Sequence, residues 1–306
     1  MLRFVLRRFF ETFPVILAAV TLTFFLIRLA PGGPFTDEKS YPEEALRQLH
    51  RHYGLDAPLL VQYARYLGQA LRGDLGPSLK YPNRTVAEII AEGFPVSLEL
   101  GLWALLYAVV IGLAAGLAAA LRPQRWTDHA VMAAAMVGIC LPSFVLGPLL
   151  VLLFALRLPL FNAAGWLTAG DRLLPAVSLG AAYAAYIARL TRGSMLEVLP
   201  QDYIRTARAK GVGPLRLLAV HALRNALPPV VSFLGPAAAG LITGSFVVET
   251  VFHIPGLGRM FVAAAFNRDY WLLLGLVVFY AALIVLFNTL VDLLLAWLDP
   301  RVRTAR

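Results

Sequence analysis

The chain has 306 residues, 59% hydrophobic and only 15% charged, with a mean hydropathy of +0.71 and a formal charge of +9. Soluble domains carry about 25% charged residues, so a water-soluble globule is excluded and a polytopic membrane protein is indicated. The basic residues are dispersed between apolar runs, which suits positive cytoplasmic loops and not a nucleic-acid footprint. The single cysteine, Cys140, excludes an intrachain disulfide.

In chain order, Arg3, Arg7 and Arg8 precede an apolar run at residues 9–29. That run is roughly 20 residues long, enough to span. It ends in Arg-Leu-Ala-Pro-Gly-Gly-Pro and not in a small-residue cleavage site, so it reads as an uncleaved first span. Residues 31–95 form the one long polar stretch, too thinly apolar for a secure domain of its own. Within it, residues 42–53 and 60–71 read as short amphipathic helices, the second with Tyr63, Tyr66 and Leu67 along one side.

Five further spans follow at residues 98–121, 130–156, 173–190, 230–251 and 271–298. With six spans both termini share one side. That side holds Arg3, Arg7, Arg8, Arg122, Arg125, Arg189, Arg192, Arg205, Arg208, Lys210, Arg216, Arg224, Arg301, Arg303 and Arg306. The opposite short loops hold Arg157, Arg172, Arg259 and Arg268, so the expected topology has both termini in the cytoplasm. Gly112-x-x-x-Gly116 and Gly240-x-x-x-Gly244 put glycine pairs on single helix faces, for packing within this chain or against a second chain. Pro142, Pro175 and Pro236 sit inside spans, where they free carbonyls and can bend a helix.

Glu11, Arg28, Glu99, Arg189 and Glu249 lie near span ends, where snorkelling to headgroups accounts for them. Asp292 lies deeper and shares a face with Asn288, at i, i+4. The two are either a polar cap on the bundle or part of a pathway. One such group is too few for the relay of a proton-coupled secondary transporter, the alternative of another class. An intramembrane serine protease would need Ser194, Ser232 or Ser245 beside His221 or His253. None of these serines lies in a Gly-x-Ser-x-Gly turn, and the two histidines flank the fifth span at opposite faces. No catalytic, cofactor-binding or metal site is expected: His50 and His52 at i, i+2 do not face each other on a helix. No P-loop sequence is present either, so any ATPase must be another chain.

The segment that organises the rest is residues 201–229, the most basic internal stretch. Residues 203–210 read as a short helix stopped by Gly211 and by Gly213-Pro214. Residues 215–227 read as a second helix, with Leu215, Leu218, Ala219 and Ala222 on one face. Helix, glycine break, helix, then a span resembles the cytoplasmic loop of ABC-transporter permeases. Arg205-Thr206-Ala207 occupies the place of that family's Glu-Ala-Ala, six residues before Gly211.

The longer string Tyr-Ile-Arg-Thr-Ala-Arg-Ala-Lys-Gly at 203–211, followed by His-Ala-Leu-Arg-Asn-Ala-Leu at 221–227, resembles the dipeptide and oligopeptide branch. So do residues 53–59, 72–78, 248–260 and 267–270 and the final Asp299-Pro-Arg301. The resemblance implies an all-α membrane bundle of six helices with a long, partly helical outer loop, in an inner-membrane importer. It further implies a non-catalytic permease subunit, with a second homologous permease as partner. Two cytoplasmic ATPases would carry ATP and Mg, and an extracytoplasmic binding protein would deliver peptides. The branch also includes importers of nickel, glutathione and oligosaccharides. Within the coupling loop, residues 191–229, the residues expected to meet an ATPase are Tyr203, Arg205, Thr206, Ala207, Arg208, Lys210 and Gly211. Ala207 and Ala209 would let a partner surface approach closely.

Overall fold

The computed structural model describes residues 2–29, 32–35 and 42–298, with only the backbone for residues 2–12, 292 and 294–298. The described residues are helical throughout apart from loops and a single isolated bridge, Pro77 with Thr85. Four segments are long and apolar enough to cross a membrane: Val86–Leu121, Ala169–Val198, Pro228–Val251 and Tyr270–Val291. The pair Trp126–Cys140 and Ser143–Arg157 makes a fifth if taken as one broken span. Helix α1 (Leu2–Leu29), apolar from Phe13 to Leu29, brings the number to the expected six.

The third span corrects the sequence reading. A continuous helix over 130–156 is replaced by α5 (Trp126–Cys140) and α6 (Ser143–Leu150), bent by 107°, with π-helical winding over Val151–Arg157. The cause is Pro142. Its ring forces the preceding residue out of the α region, and Leu141 takes φ −83°, ψ 112°. Pro175 and Pro236 do no such damage: Pro175 lies in the first turn of α7 (Leu173–Val198), and α11 (Pro228–Thr243) continues through Pro236.

The chain divides into two compact units. The first comprises Met1–Val96 and Gly256–Leu283. Here α2 (Glu43–His52) and α3 (Leu59–Ala70) are the two amphipathic helices read from sequence. Its core packs Val20 and Phe24 of α1, Tyr66 of α3, and Ile89 and Ile90 at the start of α4 (Val86–Leu121). Leu257 and Ala264 of α13 (Leu257–Phe266) and Leu272 of α14 (Tyr270–Leu298) complete it. Tyr66 stacks on Trp271, with ring centroids 5.5 Å apart. Its hydroxyl has no hydrogen-bond partner among the described residues, and burial pushes its pKa up.

Fully buried Asp269 ties the loop at residues 78–80 down. It accepts the Leu272 amide of its own helix end (3.2 Å), the loop amides of Leu79 (3.1 Å) and Lys80 (3.2 Å), and the Ser78 hydroxyl. A buried carboxylate is tolerated because its lone pairs are filled.

The second unit comprises Ser97–Pro255 and Ile284–Arg306. It is organised around α7, which packs against α5, α6 and α11. Gly112, Gly116 and Gly240 serve packing inside this unit, while Gly244 ends α11. A Cβ on Gly112 or Gly116 would strike the Ala184 or Ala188 carbonyl of α7, and one on Gly240 would strike the Tyr183 hydroxyl. Glu249, on α12 (Phe246–Val251), is not a snorkelling residue: it is fully buried and accepts the hydroxyls of Ser97 (2.8 Å) and Ser245 (2.5 Å). Glu99 pairs with Arg172 at 2.9 Å and accepts the Trp166 indole N–H.

Candidate functional site: the 201–229 loop

Helix α8 (Asp202–Ala209) has only two buried side chains, Ile204 and Ala207. Spaced i, i+3, they share one face. That face packs against Met195 at the end of α7, against Ala120, and against Leu217, Ala222 and Ala226 of the following helix. Ala207 thus lets α8 lie close on its own chain, whereas Ala209 points outward. The remaining expected contact residues, Tyr203, Arg205, Thr206, Arg208 and Lys210, are exposed. Arg205 reaches Asp202 at 3.5 Å on the open surface, a pair worth little. Tyr203 accepts the side-chain amide of Asn225 at 2.9 Å, which links α8 to the next helix.

Gly211 ends α8 in a Schellman motif. Its amide donates to the Arg208 carbonyl (3.0 Å), and the Val212 amide donates to the Ala207 carbonyl (3.2 Å). The motif requires a left-handed residue, and Gly211 has φ +78° with no atom within 4 Å of a would-be Cβ. Its role is therefore set by backbone dihedral and not by space.

The second helix departs from the sequence reading. It begins as α9 (Pro214–Arg216), winds as a π-helix over Leu217–Leu223 and ends as α10 (Arg224–Ala226). The residues it buries are Leu217, Ala222 and Ala226, while Leu215 and Ala219 are exposed. The expected face assumed a period of 3.6. The wider π turn brings i and i+5 into line, so Leu217 and Ala222 share the buried side. Leu227 keeps helical dihedrals (φ −71°, ψ −31°) into α11, so the path from α9 to the membrane span is helical without a loop.

Sequence reasoning missed three parts of this site. One is the anchoring by Ile204, for which the signal was its i, i+3 spacing to Ala207. The others are the Tyr203–Asn225 bond and the π winding, for which no local signal exists. Of the deeper polar pair, Asn288 is half-buried on α14, while the Asp292 side chain and Asp299–Arg301 fall outside the described residues. A separate cavity of about 450 Å³ is lined by Asn162, Thr168 and Asp171. The Asp171 carboxylate there is already filled by the amides of Leu167 and Thr168, the Thr168 hydroxyl and the Asn162 side chain.

An all-α bundle of apolar helices interrupted by a basic helix–glycine–helix loop defines a multi-pass membrane permease of the ABC importer fold. The solved methionine ABC transporter MetNI, in inward-facing conformations, shares that fold. One of its chains superposes with a TM-score of 0.56 at 20% identity, covering 70% of this chain and 97% of its own.

The chain belongs to the family of binding-protein-dependent transport system inner membrane components. It matches that family over residues 109–304 and the family's N-terminal part over residues 1–101. It is 48% identical to the oligopeptide transport system permease protein OppB of Haemophilus influenzae, over 99% of this chain and 100% of the relative. It is 45% identical to the dipeptide transport system permease protein DppB of Bacillus subtilis, over 99% of this chain and 98% of the relative.

Proposed function

We propose that this chain is the permease subunit of an ATP-driven peptide importer and forms half of its translocation pathway. The observation that carries this reading is the near full-length similarity to both oligopeptide and dipeptide permeases. A second, homologous permease completes the pathway. Two cytoplasmic ATPase subunits bind ATP and Mg, and an extracytoplasmic binding protein delivers the peptide. This subunit binds no nucleotide and breaks no bond.

Residues 1–306 act as one transmembrane domain of six crossings in the inner membrane, with both termini in the cytoplasm. Residues 31–95 then lie outside, where they dock the binding protein, and residues 191–229 lie inside as the coupling loop. The exposed edge of α8, with Tyr203, Arg205, Thr206, Arg208 and Lys210, seats on an ATPase. Ala207 holds α8 to its own chain, and Gly211 sets the angle of the helix that follows. Because α9, the π turns, α10 and α11 are helical in series, a displacement of α8 is carried to the span without a flexible joint.

Purification of a tagged copy should bring down two ATPases and a second permease. Vesicles holding that complex should accumulate peptide only with ATP and binding protein. Uptake driven by a pH gradient with no ATPase present would overturn the reading, and competition by nickel, glutathione or oligosaccharide would change the cargo. For the topology, a single cysteine at exposed Arg72 should label from outside, and one at Arg208 only after permeabilisation. Exposed Cys140 must first be replaced.

A further inference from the structure

In the second unit, the exposed side chains of α4 suit lipid: Leu102, Trp103, Leu106 and Val110. The exposed surface of α7 and α11 does not. Helix α7 lies in the most buried of the four long apolar segments, yet Tyr186 and Arg189, at i, i+3, are exposed along it. On α11, which packs beside it, Ser232 and Pro236 are exposed and Phe233 is half-buried. The Tyr186 and Phe233 rings lie 5.9 Å apart, so the two stripes form one surface.

Arg189 stands at the end of this surface nearest the 191–229 loop. Helix α7 runs on to Val198, nine residues further, so Arg189 is not at a helix end. One turn nearer that end, Arg192 is taken by Asp128, whereas Arg189 pairs with no carboxylate among the described residues. At this end of the span a cation meets either headgroups or an anion on the surface it shares with Tyr186, and among the described residues its own chain does not cover it.

We propose that this α7–α11 surface lines the translocation path and that Arg189 is the cation that receives the terminal carboxylate of the permeating peptide. The proposal rests on the peptide-import reading above. Charge complementarity selects the occupant: a free peptide always carries one carboxylate, and a guanidinium holds a carboxylate through two parallel hydrogen bonds whatever the side chains are. Tyr186 and Phe233 add apolar contact that is indifferent to sequence, and Ser232 and Pro236 leave room.

The test compares uptake of one peptide as free acid and as C-terminal amide, by the complete importer in vesicles with the same binding protein throughout. The preference of the binding protein then cancels in the ratio between variant and wild type. Arg189→Gln should lower the acid-to-amide ratio about tenfold, the loss of one charge-assisted contact. Arg189→Lys should keep the ratio within about twofold, since the charge remains. Ser232→Asp, an independent substitution on the facing stripe, should lower the ratio through like-charge repulsion. An unchanged ratio in both Arg189→Gln and Ser232→Asp overturns the proposal. Equal loss for both peptides that follows the anionic-lipid content would assign Arg189 to a headgroup, and loss of the second permease from the complex would make the surface a subunit contact. Either result overturns it too. If the wild type imports neither peptide while the binding protein still stimulates ATP hydrolysis, it is the peptide reading that has failed.

Discussion

The Arg192 guanidinium grips Asp128 through two parallel hydrogen bonds, Nε to Oδ1 at 2.6 Å and Nη2 to Oδ2 at 2.7 Å. Asp128 is 2% exposed and also accepts the Gln124 amide at 2.9 Å. Gln124 itself has φ +60°, so the carboxylate holds a strained turn between α4 and α5 while it fastens α5 to α7. Arg192 is half-buried, so removing it leaves the Asp128 carboxylate uncompensated at a cost below the about 3–5 kcal/mol of a fully buried pair. Arg192→Gln should therefore lower the thermal stability of the detergent-purified permease more than the double variant with Asp128→Asn does. A double variant no more stable than the single would deny the pair its role.

Gly211 gives an ordered series. Its φ of +78° is unfavourable for any residue with a Cβ, by about 1–2 kcal/mol, and there is no crowding to add to that cost. Asn tolerates left-handed backbone best among the alternatives, and β-branched Val tolerates it worst. Uptake should fall in the order Gly211→Asn, Gly211→Ala, Gly211→Val, with the ATPases still attached, because the exposed edge of α8 is unaltered. Equal uptake by all three variants would show that the Schellman turn does not set the angle of the second helix.

How much of this was legible depended on range. The short helices α2, α3 and α8 and the stop at Gly211 follow from local spacing and from φ-permissive glycine, and their limits in the fold lie within a residue or so of those read from sequence. Contacts between residues far apart left no trace: Ser78 and Asp269 are 191 positions apart, and Asp128 and Arg192 are 64 apart. The break at Pro142 and the smooth passage through Pro236 show why prolines alone were ambiguous. Both remove a donor, and the surrounding packing decides whether the helix stops. The buried face of the second helix in the 201–229 loop was misread because a sequence carries 3.6-residue and wider periods equally well.

The loop at residues 78–80 should respond to Asp269 as a unit. Asp269→Ala strands the Ser78 hydroxyl proton and the Leu79 amide and leaves the Lys80 amide its weaker bond to Ser78, each unsatisfied group costing about 1–3 kcal/mol where it stays buried. Hydrogen exchange of the 78–80 amides should quicken at least tenfold, since a loss of 1.4 kcal/mol already corresponds to about that factor. Asp269→Asn keeps one acceptor oxygen and should show an intermediate effect. Unchanged exchange in Asp269→Ala would mean that the loop is held elsewhere.

A coupling role for the 201–229 loop can be tested by separating the buried and exposed sides of α8. From sequence, Ala207 is a small residue offered to a partner; in the fold it belongs to the cluster with Ile204, Leu217 and Ala222. Ala207→Asp would therefore bury a carboxylate in an apolar cluster, and the first casualty should be the permease itself, with a penalty of several kcal/mol. Any loss of the ATPases in that variant would come with loss of thermal stability. Arg208→Glu acts on an exposed side chain that flanks this face, where a substitution changes folding stability by no more than about 0.5 kcal/mol. If α8 seats on an ATPase, this variant should release the ATPase, or abolish binding-protein-stimulated ATP hydrolysis, at unchanged thermal stability. The pair of results, stability lost with Ala207→Asp and coupling lost with Arg208→Glu, is expected from a helix whose inner face is structural and whose outer face is a docking edge. Full coupling in Arg208→Glu, with peptide uptake at the wild-type rate, would take the exposed edge of α8 out of the mechanism.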